Sequence, residues 1–147
     1  MKKVILYGVI ISFIIGSCTQ EKKSPIEGAW KVISFESIKG NTVTKTFPNY
    51  TGSEILIFSK NHFLWVGNYK KDSTSFNNFG GGTFTLTGNR LEESISYSVF
   101  KNMVETKIKL QWELKSDTAT QTWPLDANWQ ISKDNYFIQK WIRVEPQ

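Results

Sequence analysis

The chain has 147 residues, with 18 basic against 13 acidic side chains, and its formal charge at neutral pH is +5. That length fits one domain of ordinary size. Aromatic residues make up 14% of the chain and charged residues 21%, which argues against disorder. One Cys and one His exclude a disulfide framework, multi-histidine metal sites and most His-dependent catalytic triads. The positive surplus is too small and too scattered to predict nucleic-acid binding.

The N-terminus has the pattern of an export signal. Lys2 and Lys3 form a basic start, and the run from Val4 to Ile15 is almost wholly apolar. This run is shorter than the roughly 20 apolar residues that a membrane-spanning helix needs. It ends in Ile15-Gly16-Ser17-Cys18, which resembles a bacterial lipobox, in which the cysteine is acylated and the chain is cleaved ahead of it. The alternatives are an ordinary small-residue cleavage site with an incidental Cys, or a buried Cys.

The domain organisation follows from this start. We predict a lipoprotein signal peptide over residues 1–17, a lipidated Cys18 with a polar tether over 18–26, and one folded domain over 27–147. The resemblance to a lipobox implies anchoring to a membrane through Cys18, and hence a place in the cell envelope. The charged residues directly after Cys18 resemble surface-export signals of some Gram-negative lipoproteins. The periplasmic and surface faces of the outer membrane both remain open.

From Glu27 onward the dominant hydrophobic period is two, which is typical of strands. The clearest alternation runs from Met103 to Lys115, and a second runs from Arg90 to Val99. Further strands are predicted at Trp30–Ser37, Thr42–Thr46, Glu54–Ser59, Phe63–Asn68, Gly82–Thr87, Trp129–Ser132 and Tyr136–Val144. About nine or ten short strands joined by Gly-, Asn- and Asp-containing turns must close or stack. Periodicity alone leaves both a sandwich and an up-and-down barrel open.

One connection differs from the short turns. The segment Tyr69–Phe79 is polar and is followed by three glycines, Gly80 to Gly82. A phosphate-binding loop would lead into a helix, whereas Thr83 to Leu86 continues as a strand. We therefore expect a long connection with a flexible entry into a strand, where glycine permits a bulge or a close backbone approach. A mobile lid is the alternative.

The opening of the first strand carries a family resemblance. Gly28-Ala29-Trp30 resembles the G-x-W signature of lipocalins and related calycin barrels. The resemblance implies that Trp30 plugs the closed end and that Arg143, from the last strand, covers its ring. A cation over an indole contributes about 0.5–2 kcal/mol. Trp30 and Arg143 are therefore the predicted barrel-closure pair.

Other segments resemble the lipocalin-like domains of small secreted or lipid-anchored bacterial proteins, which are common in Bacteroidetes. They are His62–Val66, Gly81–Leu86, Leu91–Tyr97 and Trp141–Val144. The resemblance implies an all-β fold, a single antiparallel up-and-down barrel of about 8–10 strands. No helical pattern follows the predicted strands, unlike in lipocalins with a C-terminal helix. The family has no settled activity to transfer.

Glu93 is the most informative single position. It shares the apolar face of its predicted strand with Leu91 and Ile95, so a barrel would direct it inward. A buried carboxylate needs a partner or takes a raised pKa. Glu93 is either a polar anchor in a ligand cavity, or one member of an internal pair with Arg143 or a Tyr hydroxyl. The candidate cavity residues are Glu93, Tyr97, Trp112, Trp65 and His62.

Signals for catalysis are weak. His62 is the only His; it is compatible with haem ligation, but a plain polar residue at a turn is the simpler interpretation. No G-x-S-x-G motif is present, and Glu92 and Glu93 point to opposite faces of a strand, which excludes a carboxylate pair. We therefore predict a protein without enzymatic activity, metal or cofactor.

The sequence predicts a lipid-anchored, lipocalin-like binding protein of the cell envelope that holds a small hydrophobic or amphiphilic molecule inside its barrel. The alternative is a non-enzymatic envelope module with a filled barrel. Its outer face, or the segment Tyr69–Phe79, would then contact another envelope protein.

Overall fold

The structure is a computed structural model that describes residues 23–45 and 50–144. Its nine strands are β1 Gly28–Lys39, β2 Thr42–Lys45, β3 Thr51–Ser59, β4 His62–Lys71, β5 Thr74–Thr87, β6 Arg90–Ser98, β7 Lys107–Lys115, β8 Thr118–Leu125 and β9 Asn135–Arg143. Within these ranges no helix is long and apolar enough to cross a membrane. The predicted signal peptide and Cys18 lie outside the described residues, so those predictions stay predictions.

The strands form one antiparallel sheet that closes on itself. Each strand from β3 to β8 pairs with the next, and β1 pairs with β3. The last strand, β9, pairs with β1 from Trp30 opposite Arg143 to Lys39 opposite Asn135. Eight strands therefore make a closed up-and-down barrel, and β2 is an additional strand beside the end of β1. This confirms the predicted all-β barrel and excludes the sandwich.

The up-and-down order assigns each connection to one of two ends. The start of β1, the end of β9 and the β3–β4, β5–β6 and β7–β8 turns share one end, which we call the Trp30 end. The β4–β5, β6–β7 and β8–β9 connections lie at the opposite end. Residues that face inward therefore form successive layers from the Trp30 end to the opposite end.

Tyr69–Phe79 was wrongly predicted to be a loop. It belongs to a regular hairpin, in which β4 and β5 remain paired as far as Lys71 opposite Thr74. The segment is polar because this stretch of the hairpin is largely exposed to solvent. Gly80 to Gly82 are part of β5, and the register of β5 and β6 shifts between Gly81 and Gly82, so the bulge interpretation is confirmed and the mobile-lid alternative is wrong.

Three strand predictions also need correction. The strand predicted from Met103 begins only at Lys107, because a single 3-10 turn covers Lys101–Met103. The predicted strand Trp129–Ser132 is reduced to one bridge between Ile131 and Leu125. The sequence missed β8, whose inward residues Ala119 and Gln121 are small or polar and give no apolar period.

Aromatic side chains fill the Trp30 end. We call this layer the floor; its members are Trp30, Phe58, Phe84, Leu91 and Trp112, all buried. The Trp30 and Trp112 rings meet edge to face with centroids 5.4 Å apart, and the Phe58 and Trp112 rings meet in the same way at 5.3 Å. Such pairs contribute about 0.5–1.5 kcal/mol beyond the area they bury. The floor is a close-packed core.

Arg143 closes the floor from outside. Its Cζ lies 4.1 Å from the centroid of the Trp30 ring. Its Nη1 donates to the Glu27 carbonyl at 2.7 Å and its Nη2 to the Pro25 carbonyl at 2.8 Å, while Trp30 Nε1 donates to the Ile26 carbonyl at 2.8 Å. The guanidinium thus ties the last strand to the segment that precedes the first.

Candidate functional site

A cavity of about 370 Å³ lies between the floor and the opposite end of the barrel. Most of its walls are aromatic or aliphatic, including Trp65, Phe63 and Ile108, and Phe100 and Met103 from the β6–β7 connection reach it from the end opposite Trp30. Seven polar side chains, counting two tyrosines, also line it: Tyr50, Glu54, Tyr69, Asn78, Glu93, Gln121 and Gln139. An apolar cavity with a few fixed polar groups is typical of small-molecule sites.

A hydrogen-bonded network on β3, β4 and β5 forms one wall. Glu54 Oε2 accepts from the Tyr69 hydroxyl at 3.3 Å and from Asn78 Nδ2. The Asn78 Oδ1 in turn accepts from Trp65 Nε1 at 2.9 Å. Desolvation by burial raises the pKa of Glu54 to about 7, although both hydrogen bonds oppose this shift. The network fixes the orientation of Glu54 and of the Trp65 ring.

Gly67 makes this network possible. Glu54, Gly67 and Asn78 stand opposite one another on three neighbouring strands, so all three positions face inward. A Cβ at Gly67 would lie 3.0 Å from the Glu54 Cβ and from the Ser53 carbonyl oxygen. The Glu54 and Asn78 side chains therefore meet across a backbone that carries no side chain.

Glu93 stands apart from this network. It is 6% exposed and lines the cavity from β6, where its register partners are Phe84 and Ile108. No described residue donates a hydrogen bond to its carboxyl group or forms an ion pair with it. Desolvation by burial raises the pKa of Glu93 to about 8. Arg143 and the Tyr69 hydroxyl, the kinds of partner the sequence allowed for, are engaged elsewhere.

The two glutamines of the cavity hold indole rings. Gln121 Oε1 accepts from Trp141 Nε1 at 2.9 Å, and Gln139 Oε1 accepts from Trp123 Nε1 at 2.8 Å. Each pair joins β8 to β9 across the barrel wall. The oxygen of each amide is therefore committed to the protein.

Of the five residues predicted to line the cavity, two lie in its lining and three lie elsewhere. Glu93 and Trp65 line the cavity. Trp112 does not, because it is part of the floor. Tyr97 is 74% exposed, because the bulge at the β5–β6 register shift turns it outward. His62 is exposed at the β3–β4 turn, at the Trp30 end, and takes no part in the cavity lining.

The sequence reasoning missed Glu54, Tyr69 and Asn78. Glu54 carries the signal that identified Glu93, an acid on the same strand face as Leu56 and Phe58. Tyr69 and Asn78 were hidden in the segment predicted to be a loop. Among the described residues, no group of three or more His, Cys, Asp or Glu is placed to hold a metal ion.

No family model matches the chain, and a search of the curated proteins gives no match either. The eight-stranded antiparallel up-and-down barrel is consistent with a lipocalin-like fold.

Proposed function

We propose that this protein is a lipid-anchored binding protein of the bacterial cell envelope, which holds one small hydrophobic or amphiphilic molecule inside its barrel without transforming it. The observation that carries the proposal is the cavity of about 370 Å³ above a floor whose side chains are all buried and lie outside the cavity lining. An engineered apolar cavity of about 150 Å³ is enough to bind benzene. The void therefore suits a ligand larger than one aromatic ring.

The walls supply both the affinity and the orientation. Aromatic and aliphatic surface on all sides gains about 25 cal/mol per Å² of apolar ligand area removed from water. The polar groups are few, and most are hydrogen-bonded to other side chains of the barrel, which holds them in place. A site fixed in this way avoids much of the ordering cost of binding.

Binding of a neutral fluorescent naphthalene probe tests this proposal. We expect saturable binding by the purified protein, and a loss of at least about tenfold in affinity for Ile108→Trp, which fills the cavity from β7. Leu64→Trp, which adds the same ring to the exposed outer face of β4, is the matched control and should bind as the wild type does. Absence of saturable binding, or equal affinity for Ile108→Trp, would contradict the proposal.

The anchor and the location rest on the lipobox resemblance at Ile15 to Cys18. We expect Cys18→Ser to abolish labelling by a palmitate analogue and to move the protein from the membrane fraction to the soluble fraction. Ser17→Ala keeps a small residue before the cysteine and is the matched control. Labelling that persists in Cys18→Ser would refute acylation at this site.

A second candidate function uses the outside of the barrel. Exposed apolar side chains lie together on the outer face of β4, β5 and β6. Val66 on β4 is paired with Phe79 on β5, and Leu64 on β4 lies in the same row as Tyr97 on β6, with β5 between them. Exposed apolar patches often mark protein contacts. A photocrosslinker at Tyr97 would then give one discrete product in envelope preparations, and one at Thr85, on the same sheet, would give none. No product at Tyr97 would exclude this candidate.

A further inference from the structure

We propose that the ligand carries a protonated amine, and that this group is seated at Glu93 with its hydrocarbon part in the cavity. The inference rests on the proposed function, because it specifies the class of the ligand. It makes the protein a receptor for hydrophobic amines and not for fatty acids.

The first argument is the state of the Glu93 carboxyl group. The side chain is 94% buried, since only 6% of it is exposed, and it lines the cavity with no protein partner among the described residues. Buried polar groups are almost always hydrogen-bonded to protein or to ordered water, so a carboxyl group beside a cavity with no protein partner is available to a polar group of a ligand. Glu54, in contrast, already accepts from Tyr69 and Asn78.

The second argument is the charge of the lining. The cavity has two acidic side chains, Glu54 and Glu93, and none of its described lining residues is Lys, Arg or His. A ligand carboxylate would be desolvated beside two acids with no base to receive it. An ammonium group finds a carboxyl group, and it also finds aromatic rings such as Trp65, Phe63 and Phe100, whose faces attract cations.

The third argument concerns protons. Burial raises the pKa of Glu93 to about 8 and that of Glu54 to about 7, so both are largely protonated in the empty cavity at mildly acidic pH. The titratable groups that face Glu93 across the cavity are Glu54, Tyr50 and Tyr69, while its neighbours on β5 and β7, Phe84 and Ile108, do not titrate. An ammonium group stabilises the Glu93 carboxylate, so binding at pH 7 should release about one proton.

Three alkyl ligands of equal length test the inference: octylammonium, octanol and octanoate, each titrated calorimetrically at pH 8. We expect octylammonium to bind at least about tenfold more tightly than octanol, and octanoate to bind most weakly. Glu93→Gln should reduce the affinity for octylammonium to that for octanol, with octanol binding unchanged. Glu92→Gln, on the outward face of the same strand, is the matched control and should change neither affinity.

A measurement on the wild type alone gives a second test that does not depend on any variant folding. Titrations at pH 7 in buffers of different ionisation enthalpy should show release of about one proton with octylammonium and none with octanol. Octanoate binding as tight as that of octylammonium, no effect of Glu93→Gln, or no proton release would overturn the amine inference while leaving a hydrophobic binding protein. If neither the naphthalene probe nor any alkyl ligand binds, the proposed function fails as well.

Discussion

The two halves of the barrel use the same strands for different purposes. Toward the Trp30 end, the inward positions of β3 and β6 carry Phe58 and Leu91, which belong to the floor. Nearer the opposite end of the barrel, the inward positions of the same two strands carry Glu54 and Glu93, which line the cavity. One continuous sheet therefore encloses an apolar core toward one end and a cavity lined with acids toward the other.

This difference separates stability from binding along the barrel axis. The floor closes the barrel with aromatic contacts and with Arg143, and it leaves no room for a ligand. The cavity half keeps buried acids that a purely stabilising core would not contain, since each one costs free energy to bury. Sites of function are where local departures from optimal packing are expected. Substitutions in the two halves should therefore have different consequences.

The largest effect should come from the floor. Trp30→Ala removes a fully buried indole, its hydrogen bond to the Ile26 carbonyl and its contact with Arg143. We expect a loss of about 3–5 kcal/mol in the free energy of unfolding, measured by urea denaturation. Trp65→Ala makes the same truncation beside the existing cavity, where the ring is already partly exposed, and should cost less than half as much. Equal losses would contradict the division between the halves.

The next effect is a loss of stability with rising pH, caused by the acids of the cavity. Burial raises the pKa of Glu93 from 4.5 to about 8, so between these values the folded state retains a proton that the unfolded state has lost. The stabilisation is complete below pH 4.5 and is lost as the pH rises through 8. Each such acid should therefore lower the free energy of unfolding by up to about 1.4 kcal/mol per pH unit, and Glu93 alone should lower it by about 2–3 kcal/mol between pH 5 and 7.

Urea denaturation at a series of pH values measures this slope. Glu93→Gln should remove the part that extends up to pH 8, and Glu54→Gln should remove a part that ends near pH 7, where the pKa of Glu54 lies. A slope that survives both substitutions would show that the buried acids are not its source.

A smaller effect is expected at Gly67, in the wall of the cavity. In Gly67→Ala the new Cβ would lie 3.0 Å from the Ser53 carbonyl oxygen and 3.0 Å from the Glu54 Cβ, so the backbone and the Glu54 side chain must both shift. We expect a cost of about 1–2 kcal/mol in the free energy of unfolding. Asn68→Ala, at the next and outward-facing position, should cost at most about 0.5 kcal/mol. Similar costs would mean that the wall is not tightly constrained.

Much of the fold could be predicted from the sequence, because strand alternation and turn residues are local signals. Most of the strands and the inward direction of Glu93 follow from period-two patterns, whereas the closed up-and-down barrel was implied by the family resemblance, because periodicity alone leaves a sandwich open. The contact between Trp30 and Arg143, which lies at the barrel closure, was implied by a family resemblance. The strand β8 could not be found in this way, because its inward residues are not consistently apolar.

Which residues line the cavity depends on features that a period-two sequence pattern does not show. A single extra residue, Ser96, has no partner on β5 and turns Tyr97 from the inner to the outer face, and a strict alternation cannot anticipate it. Tyr69 and Asn78 come together with Glu54 only through the register of three strands. The division into a floor and a cavity likewise depends on how side chains from all the strands fill each layer of the barrel, which the pattern of a single strand does not show.

The smallest effect should come from the neighbour of Glu93. Glu92 faces outward and its Oε1 lies 3.3 Å from Lys107 Nζ, in an ion pair whose Lys side chain is largely exposed. Exposed pairs of this kind contribute about 0.2–1 kcal/mol and weaken with salt. Glu92→Gln should therefore lower the free energy of unfolding by no more than that amount, without altering its slope between pH 5 and 8. A change in slope as large as that of Glu93→Gln would mean that the slope reflects the net charge of the barrel and not the burial of an acid in its cavity.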